Sequence, residues 1–189
     1  LDKLKRQGKI CHYGVSVEKV DEALEALNYD ISAIEVIFNM FRLKPAEELF
    51  PKASKQNVGI IVRVPLASGL LTGKYSEETT FGKADHRCYN RNGELFDKGE
   101  TFSGVDYMTG VKAARELKQL LHTDNLAARA LRYILMYPEV STVISGASSP
   151  AQIMENVKAS SLPPFSHEEM EVVRQVYDKH IRPLVHHCW

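Results

Sequence analysis

The chain has 189 residues, with 24 Lys plus Arg against 24 Asp plus Glu, so its formal net charge is zero. That balance excludes a polybasic binder of nucleic acid or of an anionic membrane surface, because a phosphate lattice is met by a concentrated excess of cations. Hydrophobic residues make up 44% and charged residues 25%, enough apolar material for a real core, and this excludes wholesale disorder.

In chain order, Lys9 to Val15 reads as a short strand ending near Gly14. Val17 to Leu27 then puts Val20, Ala23, Leu24 and Leu27 on one helical face, with Ser16 available as N-cap. A second strand, Ala33 to Met40, precedes a helix opened by Pro45 that runs through Leu49 and Phe50, with Pro51 expected to break or kink it. The third strand, Val58 to Val64, is apolar on both faces except at Arg63, as suits a strand covered on both sides. From Pro65 to Gly104 periodicity fails, and a loop of that length in a compact domain reads as a functional lid. Helical spacing returns at Val105 to Leu121 and at Asn125 to Tyr137, the latter with Ala127, Leu131, Ile134 and Leu135 as its stripe. A fourth strand, Ser141 to Ser145, leads through Gly146 into a helix from Pro150 to Ala159. A last helix and tail, residues 166–189, start at a Ser166/Glu169 capping box.

Strands alternating with helices imply parallel pairing through right-handed crossovers. The sheet then either stays open and doubly wound or forms part of an eight-stranded barrel. The doubly wound form asks for a Gly-rich turn after the first strand, and Tyr13-Gly14-Val15-Ser16-Val17 has a single glycine. Four strand–helix units are about half of a barrel of roughly 250 residues. The expected fold is therefore α/β, the C-terminal half of a TIM (β/α)8 barrel with about four parallel strands, flanking helices, a long lid and a C-terminal helix, all in one domain of residues 1–189.

No apolar run is long enough for a membrane span, and the charged stretch Leu1 to Gly8 is unlike a secretory leader, so a cytoplasmic home is expected. Cys11, Cys88 and Cys188 are odd in number and scattered, which fits reduced thiols rather than a disulfide framework. Leu rather than Met at position 1 reads as a segment of something longer.

Two motifs bear on chemistry. Gly69 to Lys74 resembles a phosphate-binding P-loop but is one residue short between its glycines, carries Tyr75 where Ser or Thr belongs, and is followed by no immediate helix. It reads instead as a loop beyond the C-terminal end of a strand, with Lys74 as a cation for phosphate, or as an ordinary solvated loop. In Gly146-Ala147-Ser148-Ser149-Pro150-Ala151-Gln152, Ser149 caps the helix and Pro150 suits its first position. Free N–H groups there attract phosphate, while Gln152, Glu155 and Asn156 share nearly one face; a well-capped solvent-facing helix is the plainer reading.

With Gly14-Val15-Ser16, with Arg63 through Tyr75, with Ala130-Leu131-Arg132-Tyr133-Ile134-Leu135 and with the string from Val143 to Asn156, the chain resembles the C-terminal half of an aldo-keto reductase over essentially its whole length. It is most similar to the NADP-dependent oxidoreductase and potassium-channel β-subunit-like members. The resemblance implies a (β/α)8 barrel oxidoreductase that uses NADPH, with NADH as the other option. By that resemblance Ser16 and Glu35 approach the nicotinamide carboxamide, and Arg63 lies against the ring. Val64, Pro65, Leu66, Ala67, Ser68, Gly69 and Lys74 hold the pyrophosphate. Gly146, Ser148, Gln152, Glu155 and Asn156 surround the adenosine and its ribose. The sequence departs from the family's habit at Glu35, commonly Gln, at Val17, frequently Asn, and in having no Lys or Arg from Gly146 to Gln152.

The family's catalytic Tyr, Lys, Asp and His sit in the first half of the barrel, so the resemblance assigns no catalytic residue here. The His180, His186, His187 and Cys188 group lacks the paired spacing of a zinc site. The expected function is part of an NAD(P)H-dependent reductase of aldehydes or ketones, acting on a small-molecule carbonyl substrate and inactive alone. Alternatives are a coenzyme-sensing subunit resembling potassium-channel β subunits, or a functionless truncated half-barrel that self-associates through its sheet edges.

Overall fold

The computed structural model describes residues 1–189. Four strands, β1 (Gly14–Ser16), β2 (Ala33–Ile37), β3 (Gly59–Arg63) and β4 (Val140–Val143), form one sheet in sequential order, every pair parallel. Strand β1 starts where the sequence reading expected it to end. The Ala33-Ile34-Glu35-Val36-Ile37 and Gly59-Ile60-Ile61-Val62-Arg63 runs alternate, so Ile34, Val36, Ile60 and Val62 are fully buried on one face. On the opposite face Ala33, Glu35, Gly59, Ile61 and Arg63 are only half-buried, Ile37 at the end of β2 being the fully buried exception. The expected cover on both faces of β3 is therefore not provided by this chain. Strands β1 and β4 are the sheet's two edges.

Helices α1 (Asp2–Arg6), α2 (Val20–Ala26), α3 (Phe50–Lys55), α4 (His86–Tyr89), α5 (Tyr107–Leu120), α6 (Leu126–Ile134), α7 (Pro150–Lys158), α8 (His167–His180) and α9 (Arg182–Val185) complete the fold. None is long and apolar enough to cross a membrane. Local chemistry sets several ends. Ser149 accepts from the Gln152 N–H at 3.3 Å, and Ser166 and Glu169 form the expected reciprocal box. Elsewhere the ends differ from expectation. Lys19, not Ser16, precedes α2, and Glu22 accepts from its N–H at 3.0 Å; Ser16 is committed to β1. Pro51 opens α3 instead of breaking a helix, after one π-helical turn at Pro45–Leu49. In the C-terminal segment α8 stops at His180, and the tail beyond it turns once more as α9, with Pro183 in its first turn.

The stripe of α6 is rotated from the expected one. Leu126, Ala130, Tyr133 and Ile134 are the most deeply buried, while Ala127 and Leu135 are half-exposed. Tyr133 joins Phe38, Phe50, Tyr137 and Phe165 in an edge-to-face aromatic cluster beneath the sheet. Residues 65–104, expected as one irregular loop, contain short helical turns at Ala67–Thr72, Lys98–Glu100 and Phe102–Gly104 as well as α4. They are anchored by the Tyr75, Phe81, Phe102 and Tyr107 rings and by the Tyr107 hydroxyl, which donates to the Ser76 carbonyl at 2.9 Å.

Candidate functional site

A cleft of about 770 Å3 opens beyond the C-terminal ends of β3 and β4. One wall is Val64, Pro65, Leu66, Ser68, Gly69, Thr72, Lys74 and Tyr75; the other is Gly146 with Gln152, Glu155 and Asn156 of α7. The two motifs, separated by some seventy positions in the sequence, thus face one space, because parallel pairing of β3 with β4 brings the following loops to the same end. Asn125 and Ala127, at the opening of α6, line the cleft between them.

The first wall is built from unusual backbone. Val64, Ala67 and Ser68 have φ of 50°, 48° and 54°, and Gly69 98°. Such angles are rare for non-glycine residues, rarest for a β-branched one, and persist only where surroundings over-determine them. Asn39, fully buried after β2, supplies part of that constraint by donating to the Val64 carbonyl and to Ser103 Oγ, both at 3.0 Å. Ser68 Oγ donates to the Glu100 carbonyl at 2.9 Å and accepts from the Phe102 N–H at 3.1 Å.

His86, Arg87, Phe96 and Glu100 of the 76–104 segment close the cleft's side. Arg87 grips Asp85 with two donors and also donates to the Tyr75 hydroxyl. That grip holds the Asp85 carboxyl down at about 2. Lys74 forms no ion pair, and its ammonium is the cation left uncompensated on this wall.

At the end of β3 the guanidinium of Arg63 is shared by three carboxylates. It donates to Glu100, to Glu18 at 3.0 Å and to the Val17 carbonyl at 3.2 Å, with Glu35 at 3.8 Å. Burial opposes the charge on Arg63, but the bond and charge of Glu100 and those of Glu18 outweigh it, so its pKa is raised. Burial raises the Glu18 carboxyl, and the neighbouring Glu100 raises it further, to about 7.

Ten of the residues expected to hold a coenzyme line this cleft: Val64, Pro65, Leu66, Ser68, Gly69, Lys74, Gly146, Gln152, Glu155 and Asn156. Five do not. Ala67 is buried. Ser16 and Glu35 lie side by side in register on β1 and β2, outside the cleft, and Arg63 reaches it only through Glu100. Ser148 is exposed and outside the lining, its N–H and hydroxyl donating to Gln152 Oε1 at 2.6 and 3.1 Å. With the Gln152 N–H taken by Ser149, the amides expected to be free at the opening of α7 are partly used within the helix itself. Residues the sequence reading passed over are Thr72, His86, Arg87, Phe96, Glu100, Asn125 and Ala127. Nothing local marks the 86–100 residues; they reach the cleft through tertiary folding of an aperiodic segment.

The Aldo/keto reductase family matches residues 1–178. The chain belongs to that family. It is 28% identical over 90% of its length to L-glyceraldehyde 3-phosphate reductase of Escherichia coli O157:H7, covering 50% of that protein. It is 32% identical over 68% of its length to a probable voltage-gated potassium channel subunit beta of Arabidopsis thaliana, covering 38% of it. The holo form of aldo-keto reductase AKR11C1 from Bacillus halodurans superposes with a TM-score of 0.67 at 27% identity, over 93% of this chain and 53% of that one. The chain spans about half the length of the curated relatives it matches.

The cleft suits a dinucleotide. No atom lies within 4 Å of where a side chain would begin on Gly146, so backbone is open to a ligand on that wall. On the facing wall stands the uncompensated Lys74, and amide and carboxylate hydrogen-bonding groups of Gln152, Glu155 and Asn156 lie across from it.

Proposed function

We propose that this cleft grips a nicotinamide dinucleotide, NADPH with NADH as the other option, in a reductase that converts an aldehyde or ketone to its alcohol. The observation that carries the reading is that the Val64–Tyr75 wall and the opening of α7 meet around one space in a chain of this family. When bound, the coenzyme supplies the hydride. Lys74 meets the pyrophosphate. Gln152, Glu155 and Asn156 hold the adenosine end, and Val64, Pro65 and Glu100 border the nicotinamide end, with Arg63 fixing Glu100 rather than stacking on the ring. The Arg87 and Asp85 fork holds the 76–104 wall, which acts as the lid.

No residue of this chain is assigned the proton transfer, so the chain alone binds coenzyme without turning over. The test is titration of the 189-residue chain with NADPH and NADH, followed by nicotinamide fluorescence, alongside a carbonyl-reduction assay. Saturable binding without turnover is expected. Absence of binding to both coenzymes overturns the grip, and coenzyme-dependent reduction above blank overturns the inactivity.

A second reading rests on the channel-subunit relative: the same grip serves as a coenzyme sensor on a partner protein. Coenzyme-dependent retention of the chain by the cytoplasmic part of a potassium channel separates the two readings.

Self-association belongs to this proposal as well. The chain exposes 10225 Å2, whereas a compact monomer of 21.3 kDa exposes about 9,100 Å2. The excess accompanies the open edges β1 and β4 and the uncovered inner face of the sheet.

A further inference from the structure

We propose that Trp189 is a positioning residue for the Glu100–Arg63 edge of the cleft, acting through the turn from Gly99 to Gly104. Its consequence for coenzyme rests on the dinucleotide reading above; its structural part does not.

Trp189 is 5% exposed, and its ring lies 3.9 Å from the Arg42 guanidinium. Its main-chain oxygen accepts from Lys44. Arg42 is itself 1% exposed, and its only protein acceptor is the Glu18 carbonyl; its Nε and Nη1 have none. A desolvated guanidinium with unfilled donors depends on the face of an aromatic ring for compensation, and indole provides it best.

The indole is also wedged against the turn. A methyl group at Gly104 would come within 2.5 Å of the ring and one at Gly99 within 2.9 Å, so both glycines exist in contact with it. Between them lies Glu100, which lines the cleft and binds Arg63. Ser68, in the cleft wall, holds the same turn from the other side through the Glu100 carbonyl and the Phe102 N–H. Phe102 and Ser103 have φ of 55° and 53°, a conformation that relaxes when packing is withdrawn. Trp189 therefore clamps the turn against Ser68, and removing the ring frees Glu100 to leave Arg63 and the cleft.

The experiment compares the native chain with Trp189→Ala and Trp189→Phe by hydrogen exchange of amides 98–104 and by NADPH affinity. The alanine variant is expected to speed exchange at 98–104 while β2 and β3 keep their protection, and to weaken NADPH about tenfold, or about 1.4 kcal/mol. The phenylalanine variant, which keeps a ring over Arg42, is expected to restore most of both. Unchanged exchange at 98–104, exchange raised equally across β2 and β3, or local loosening with unaltered affinity each overturns the proposal. If the native chain binds neither coenzyme, the dinucleotide reading falls, and the exchange comparison alone decides whether Trp189 clamps the turn.

Discussion

Asn39 reaches past the end of β2 to donate to the carbonyl of Val64 at 3.0 Å, holding a β-branched residue at a φ of 50° where the cleft wall begins. Its Oδ1 accepts from the Phe41 N–H at 2.8 Å, and its amide also reaches Ser103. One buried side chain thus ties three segments. Asn39→Ala leaves buried partners unpaired, with an expected cost of about 2–3 kcal/mol. In a chain of this size that lowers the thermal midpoint by roughly 5–10 °C in a melting curve. A midpoint within a degree of native would show that Val64 holds its conformation unaided.

Arg63→Met removes the cation from among Glu18, Glu35 and Glu100. Arg63 is only 13% exposed, and breaking a pair of that kind is expected to cost about 2–4 kcal/mol. The loss should be larger at pH 8 than at pH 5, because the carboxylates left behind repel when ionised. Adding Glu100→Gln should recover part of it, as denaturant titrations of the single and double variants can measure.

Glu18 gives a pH dependence of definite sign. Its carboxyl is raised to about 7 in the folded chain against 4.5 ordinarily, so the folded state binds this proton more tightly. The associated stability is fully present below about 4.5 and is lost as pH rises through about 7. Glu18→Gln should flatten this part of the stability profile between those limits. A native profile identical to that of the variant would mean that folding leaves the Glu18 carboxyl unshifted.

Lys74 makes no ion pair and lines the cleft, so Lys74→Met should leave stability within about 0.5 kcal/mol of native. NADPH affinity should fall about tenfold, the worth of a charge-assisted bond to phosphate of about 1.5 kcal/mol. The salt dependence of binding should weaken with it. Equal affinity and equal salt slope in the variant would place the pyrophosphate elsewhere.

The parts of this chain legible in its sequence are those governed by neighbours. The apolar runs Ala33 to Met40 and Val58 to Val64 marked two strands, and Ser149 and the Ser166/Glu169 pair marked two helix starts, because each signal lies within or next to what it controls. The glycines and Lys74 after β3, and Gln152, Glu155 and Asn156 after β4, pointed to one cleft through a family resemblance rather than through periodicity. Glu100, His86 and Arg87 were not legible, since the segment that carries them has helical turns of only three or four residues joined by aperiodic backbone, the last turn itself holding left-handed Phe102 and Ser103. The partners of Arg63 were hidden for the same reason. Its position on β3 was evident, yet Glu18 and Glu100 lie 45 and 37 positions away.

The long excursion between β3 and β4 bears on how the molecule folds and breathes. Closing residues 64–139 costs roughly 1 kcal/mol more chain entropy than closing 17–32 or 38–58, so β4 is expected to join last. Neither β4 nor α7 contains a fully buried residue, which places 140–158 at the weakly held end of the stability range. This unit is expected to open before the rest of the sheet does. Because it carries one jaw of the cleft, any molecule gripped there also fastens the least secure part of the fold.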